Sequence, residues 1–421
     1  MENKIKAAAC IGMGVDSAAK ALRFIHEPEI LAAKGLTLDE VVFITAMVGD
    51  EFDSTRAHMV EHLLPLFREH GVRYVQVARA AHSMRGVCYE VLDDSRCPTE
   101  LHFGGRYKLS DEYFHNGSGP ELGKRKCSMK NKGEVLDGWL RDNLPAGVEF
   151  LHSIGYAKGE ESRAAKDDMF AGAVKGGPVR VPWHPLIEWG WDRKKCLSYI
   201  EEKTGVADWP KSCCVFCPFA GPRKNPDLNK DHLAYLDRLA GSPAEAAHAL
   251  LVEYNNMSFN HRQSLYAVNG TLLEALMDHD AGAAIEAFEA KLNAMPWSLY
   301  RVRRLQDLTA NGDGILSSRS VEKVESGSRK AMDAALTAHG ESSYEGGIAK
   351  VFTERRRIEL SGFRRKAGLS AKERKVAEVA DNGAVTEEFL VAAPNLAAAK
   401  ASAGFDKKWD VAVGSLVRRA A

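Results

Sequence analysis

The run Ile11-Gly12-Met13-Gly14-Val15-Asp16-Ser17 carries the residue types that hold an anion. It follows the apolar stretch Ala7-Ala8-Ala9-Cys10-Ile11 and opens a helical pattern, Ala18 to Ile25. A strand that turns through glycine into a helix start aims several bare backbone N–H groups at one spot. The positive end of the helix dipole adds to them, and phosphate is the usual guest. The expected cradle is therefore Gly12, Met13, Gly14, Val15, Asp16 and Ser17, with the Asp16 carboxylate suited to magnesium and the Ser17 hydroxyl to phosphate. No Gly-Lys-Ser/Thr closes the run, which separates it from the common P-loop.

Further chemistry-bearing segments follow in order. Gly49-Asp50-Glu51-Phe52-Asp53-Ser54-Thr55 sits at the carboxyl end of an expected strand, where open α/β sheets place their ligands. Arg125-Lys126-Cys127-Ser128-Met129-Lys130-Asn131-Lys132 sets a cysteine among cations, which favours thiolate or metal ligation. Ile154 to Ala165 contains Gly155, Glu161 and Arg163, and Val181-Pro182-Trp183-His184-Pro185-Leu186-Ile187-Glu188-Trp189 leads to Ser212-Cys213-Cys214-Val215-Phe216-Cys217-Pro218-Phe219. Cys127 with Cys213, Cys214 and Cys217 offers four thiolates, enough for a [4Fe–4S] cluster or a closed zinc site. The adjacent Cys213-Cys214 pair leaves the fourth ligand open. Cys10, Cys88, Cys97 and Cys196 read as inert buried residues.

The elements that must position these residues are legible in the first half. Val41 to Thr45, Val72 to Val77 and Glu149 to Gly155 read as strands; Arg56 to His70 and Arg193 to Glu202 read as helices. Strand, helix and strand with short punctuation predict a doubly wound, mostly parallel sheet, an α/β fold over residues 1–225. Residues 83–121 lack periodicity and read as an insertion or lid. A helical region is expected over 226–300 and a polar, locally basic segment over 301–421. Between Lys350 and Lys375 there are ten Lys and Arg against three Glu, a candidate phosphate-binding stretch. Asn311-Gly312-Asp313-Gly314 resembles part of a calcium loop, but Thr309 and Ser320 at the outer ligand positions make it a turn.

Composition excludes little. Lys plus Arg and Asp plus Glu both number 57, so net charge points to no partner. No apolar run approaches the roughly 20 residues of a membrane span, and the first residues lack a signal peptide's apolar core, so a cytoplasmic location is expected. The eight cysteines are then not expected to form structural disulfides.

Taken in this order and spacing, the motifs resemble the PAPS-reductase-like branch of the adenine-nucleotide α-hydrolase superfamily, the PP-loop ATP pyrophosphatases. The resemblance covers roughly residues 5–222. It implies a HUP-like fold in which ATP and Mg²⁺ bind the loop at 12–17 and a substrate is activated by adenylylation. It points to Asp16, Ser17, Lys130 and Arg163 in catalysis, to Asp50, Glu51, Arg125 and Glu161 around the nucleotide, and to an iron–sulfur cluster on Cys127, Cys213, Cys214 and Cys217. Sulfonucleotide reductases of this branch attack with a cysteine near the C-terminus, and no cysteine follows Cys217 here. The chain is more similar to the ATP pyrophosphatases of DNA phosphorothioation, the DndC and SspD type. That likeness implies a nucleic-acid acceptor (DNA or tRNA) and a cysteine desulfurase as sulfur donor. The alternatives are a PAPS/APS-type reductase and a nucleotide-sensing subunit with little turnover.

Overall fold

The computed structural model describes residues 5–83, 88–120, 126–169, 171–174, 176–220, 229–265, 270–356 and 370–420. The chain divides into two compact units, residues 1–112 with 120–220, and residues 113–119 with 221–421.

The first unit is built on a seven-stranded sheet. Its strands are β1 (Ala7–Cys10), β2 (Val41–Met47), β3 (Arg73–Arg79), β4 (Tyr89–Ser95), β5 (Glu149–Ser153), β6 (Gly172–Ala173) and β7 (Val179–Trp183). They lie in the order β4-β3-β2-β1-β5-β7-β6. The run β3-β2-β1-β5-β7 is parallel throughout, and β4 and β6 close the two edges antiparallel. Every residue of β2 is buried, as expected of a strand covered on both faces. Alternate residues divide between two cores. Ala7, Ala9, Val41 and Phe43 pack under the helices Val15–His26 and Arg193–Thr204 and against the segment Met59–Phe67, whereas Ala8, Val42, Ile44 and Val75 pack against the helix Glu134–Asn143. Helices therefore cover both faces of a mostly parallel sheet, giving an α/β architecture. The stretch expected to be an aperiodic insertion is partly regular, since it contains β4 and the helix Leu109–Asn116.

The second unit holds helices where a helical region was expected, over 226–300, and a sheet that the polar segment 301–421 did not announce. The helices Asn229–Ala240, Pro243–Phe259, Leu272–Asp278 and Gly282–Ala294 are present, but a six-stranded antiparallel sheet follows them. It comprises β8 (Trp297–Leu308), β9 (Ile315–Gly327), β10 (Ser343–Glu345), β11 (Ile348–Arg356), β12 (Val385–Pro394) and β13 (Lys400–Ala401), in the order β10-β11-β12-β8-β9-β13. The turn at 309–314 joins β8 to β9, with the Thr309 hydroxyl donating to Asp313 Oδ1 at 2.7 Å. One face of this sheet packs Tyr300, Val302, Val321 and Phe389 against Met257 and Phe259. The other packs Leu305 against Phe405 and Trp409 of the helix Phe405–Ala420. Among the described residues no helix is long and apolar enough to cross a membrane.

Candidate functional site

Successive parallel strands run one way from β1 through β2 to β3, then restart on the other side of β1 with β5 and β7. Loops leaving β1 and β5 at their carboxyl ends therefore diverge and open a crevice between them, the position where open α/β sheets bind ligands. The glycine-bearing loop after β1 lies there. Gly14 ends it in an extended conformation (φ −91°, ψ 168°), and its carbonyl accepts from Ala18 N at 3.0 Å to start the helix Val15–His26. No side chain caps that helix, so its first N–H groups are left for water or a ligand. Trp209 Nε1 donates to the Met13 carbonyl at 3.0 Å and pins the loop from outside. Gly14 lies in close approach to the segment before the cysteines: a Cβ there would lie 3.2 Å from the Ser212 Cβ, which would have to give way by a few tenths of an ångström. A Cβ on Gly155, after β5, would meet the Asp16 carbonyl at 3.4 Å, an ordinary contact, so β5's loop runs directly beside the start of the helix Val15–His26.

Asp16 stands in the first turn of that helix, half-buried, with Oδ1 buried and without a hydrogen-bond partner. Burial raises its pKa, opposed by the nearby Arg193 and Arg163 guanidinium groups and reinforced by Glu160. A buried acceptor of this kind is costly unless something donates to it or coordinates it. Ser17 is half-buried beside it, its Oγ 3.5 Å from where a Cβ on Gly12 would stand. Arg163 is held by an ion pair with Glu160 and lies over the Tyr156 ring, 5.0 Å from its centroid. Glu161, expected around the nucleotide, accepts from Gly159 N at 3.0 Å, and backbone donors hold its carboxyl below its ordinary range. Arg193 was not singled out in the sequence. It opens the helix Arg193–Thr204 directly after Asp192, whose side chain caps that helix by accepting from Lys195 N at 2.8 Å.

Beneath the loop, Lys20 is fully buried and donates to the carbonyls of Cys10 (2.9 Å) and Ser153 (2.8 Å), the last residues of β1 and β5. Burial lowers its pKa to about 8. Cys10 Sγ lies 3.1 Å from His152 Nε2, and burial pushes the thiol up to about 11 and keeps the imidazole neutral. Cys10 is thus a thiol at neutral pH, in keeping with an inert role. Trp183 stacks on Phe24, and Arg23 lies over Trp189 and Trp191; Trp183 and Trp191 are buried in the core, and Trp189 packs partly buried against it.

The second acidic loop braces the cysteine-bearing segment. Asp50 Oδ2 accepts from Ser110 N at 2.7 Å, and the Asp50 carbonyl accepts from Val215 N at 2.8 Å. Glu51 accepts from Ser212 Oγ at 2.6 Å and from Lys132 Nζ at 3.1 Å, and its backbone forms an isolated bridge to Cys214. The Lys132 ammonium is raised above its ordinary range chiefly by Glu51. On this segment Lys132 reaches the loop, whereas Lys130, the one singled out from sequence, lies 3.3 Å from Glu112. Cys213, Cys214 and Cys217 share one turn, in which Cys217 N donates to the Cys214 carbonyl at 2.9 Å. Burial and the Glu51 charge push the Cys214 thiol well above its ordinary value. Among the described residues no group of three or more His, Cys, Asp or Glu converges to hold a metal ion.

Arg125 lies outside the described residues, as do residues 357–369 of the basic stretch. Of the rest of that stretch, Lys350 is fully buried, donating to the Met257 carbonyl, and Arg355 is held by Glu345. Cys97, expected to be buried, is exposed. Comparison with protein-family models, with curated proteins and with solved structures gave no match to this chain.

Proposed function

We propose that the first unit binds ATP in the crevice beyond β1 and β5 and transfers its adenylyl group to a substrate, releasing pyrophosphate. The observation that carries this reading is Asp16: an unpartnered, buried carboxylate oxygen in the first turn of an uncapped helix at the switch point, flanked by Arg163 and Arg193. The strand order fits the HUP-like fold that the sequence resemblance implies. In this reading the first-turn N–H groups and the Ser17 hydroxyl hold the phosphates, and the two arginines offset charge that grows on the leaving pyrophosphate. A substrate oxygen attacks the α-phosphorus, the bond to the α,β-bridging oxygen breaks, and that oxygen leaves with the electron pair. Magnesium would sit on Asp16 and neutralise triphosphate charge. The acceptor proposed from the resemblance is nucleic acid, with AMP displaced by sulfur from a cysteine desulfurase; the cytoplasm is the corresponding compartment.

The test is release of pyrophosphate from ATP and Mg²⁺, with and without DNA or tRNA, by the chain and by Asp16→Ala. Release that the substitution abolishes supports the enzyme, and stimulation by one nucleic acid identifies the acceptor. A second reading, a nucleotide-binding subunit with little turnover, is favoured by Asp50 and Glu51, whose carboxylates are occupied by Ser110, Ser212 and Lys132. ATP binding without pyrophosphate release under any of these conditions selects it. Iron and sulfide analysis after anaerobic purification tests the cluster separately, about four irons per chain supporting it and none removing it.

A further inference from the structure

In the second unit, one face of the antiparallel sheet changes character halfway along its strands. On β8 the positions facing the helix Pro243–Phe259 run Tyr300, Val302, Arg304 and Gln306; on β9 they run Val321, Arg319 and Ser317. Cross-strand register pairs Val302 with Val321, Arg304 with Arg319 and Gln306 with Ser317. Apolar pairs lie against Met257 and Phe259, and beyond the end of that helix the same face turns cationic and polar. Two arginines directly opposite each other on a sheet repel, so this register is unfavourable without compensation.

Compensation within the protein is partial. Arg304 pairs with the buried Glu387 at 2.8 Å. Among the described residues no carboxylate lies within ion-pair distance of Arg319; its Nη1 donates to the Gly117 carbonyl at 2.7 Å and its Nη2 to that of Asn116. Lys400, brought onto the same face by its pairing with Val321, donates to the Asn116 carbonyl at 2.8 Å and its Oδ1 at 2.9 Å, again with no carboxylate. Burial and mutual repulsion lower the pKa of Arg319 to about 10 and of Lys400 to about 8. Arg319 and Lys400 thus lie beside Arg304 with no carboxylate in ion-pair reach of either among the described residues. Beside them opens a cavity of about 190 Å³, lined by both arginines and by Ser118, Gln263, Gln306 and Ser317 among others.

We propose that this cavity is a binding site for a phosphate ester, with Arg304 and Arg319 meeting the phosphate oxygens. A guanidinium pair matches tetrahedral phosphate oxygens, and hydroxyl and amide groups around it add donors without adding charge. A dianionic phosphate offsets the surplus cations better than a carboxylate does. The cavity has room for about six waters at ~30 Å³ each. That is enough for one phosphate and part of the group attached to it. The site belongs to the second unit alone and does not rest on the ATP reading.

The experiment is isothermal titration of the full chain with inorganic phosphate, with AMP and with a short single-stranded oligonucleotide lacking terminal phosphates. Ser317→Glu puts a carboxylate on the exposed rim of the cavity, and Arg319→Gln removes a cation; folding is checked by circular dichroism. Asp16→Ala separates this site from the crevice of the first unit. Wild type and Asp16→Ala are expected to bind phosphate at a site that Ser317→Glu weakens about tenfold or more, because its carboxylate repels the anion and competes for the arginines. AMP binding more tightly than the oligonucleotide identifies a terminal monoester as ligand; the reverse identifies a nucleic-acid backbone. Absence of binding by wild type, or undiminished binding by folded Ser317→Glu, overturns the proposal even where Arg319→Gln does not fold. Loss of ATP turnover in the first unit leaves these outcomes unchanged.

Discussion

The ammonium of Lys20 donates to the carbonyl of Ser153 at 2.8 Å, tying the helix after β1 to the end of β5 across the crevice. The group is fully buried and its folded pKa, about 8, lies below the ordinary 10.5. Between these values the unfolded chain binds a proton that the folded chain does not, so stability rises with pH. Relative to Lys20→Met, the wild type is expected to gain stability from about pH 8 to pH 10.5, on the order of 3 kcal/mol. Urea unfolding of both proteins between pH 7 and pH 11 measures this. Parallel curves would show that the lysine is not desolvated as described.

Asp16 gives a kinetic expectation within the proposed activity. Burial raises its pKa while Arg193 and Arg163 lower it. The acid limb of kcat/KM for pyrophosphate release is therefore expected above the ordinary carboxylate range. Arg193→Gln should move that limb higher still, since a lowering charge is removed. Asp16→Asn should reduce kcat by about 100-fold or more, the effect typical of removing one electrostatic group at a reacting centre. A limb that stays put in Arg193→Gln would separate Asp16 from the rate-controlling ionisation.

How much of this was legible in the sequence follows from where burial is two-sided. β2 lies inside a covered sheet, so its residues, Thr45 excepted, are apolar and stand out, while β3 and β5 show only short apolar runs, such as Tyr74-Val75 and Phe150-Leu151, between polar residues. The antiparallel sheet was missed because its exposed positions carry cross-strand charge pairs, such as Arg301 with Glu322 and Glu388. Arg304 and Gln306 then interrupt the apolar face as well, and no clean alternation survives. Lys20 was hidden by its neighbours Ala18, Ala19, Ala21 and Leu22, which leave no polar face to distinguish. Arg193 and Ser212 come to the loop through tertiary packing that no local spacing encodes.

Glu51 holds the segment Ser212–Cys217 to the end of β2 through the Ser212 hydroxyl at 2.6 Å. Ser212→Ala is expected to cost about 1 kcal/mol, and Glu51→Ala about 1–3 kcal/mol because Lys132 then loses its carboxylate partner. The double variant should fall short of the sum, since both substitutions remove the same bond. Denaturant unfolding gives the three values, and strict additivity would mean that the bond does not form in solution.

Thiol reactivity distinguishes the cysteines by environment. Only the thiolate alkylates, and both its population and its access fall with burial. Cys97 is exposed, whereas Cys196 is buried and pushed up to about 12. Cys214 is raised by burial and by Glu51. Iodoacetamide at mildly alkaline pH should label Cys97 first and leave Cys196 and Cys214 unmodified until the chain is unfolded, as peptide mass spectrometry would report. Glu51→Gln removes the charge that opposes the Cys214 thiolate, so Cys214 should label faster in that variant while Cys196 does not change. Early labelling of Cys214 in the wild type would mean that the turn carrying Cys213, Cys214 and Cys217 is not packed against Glu51.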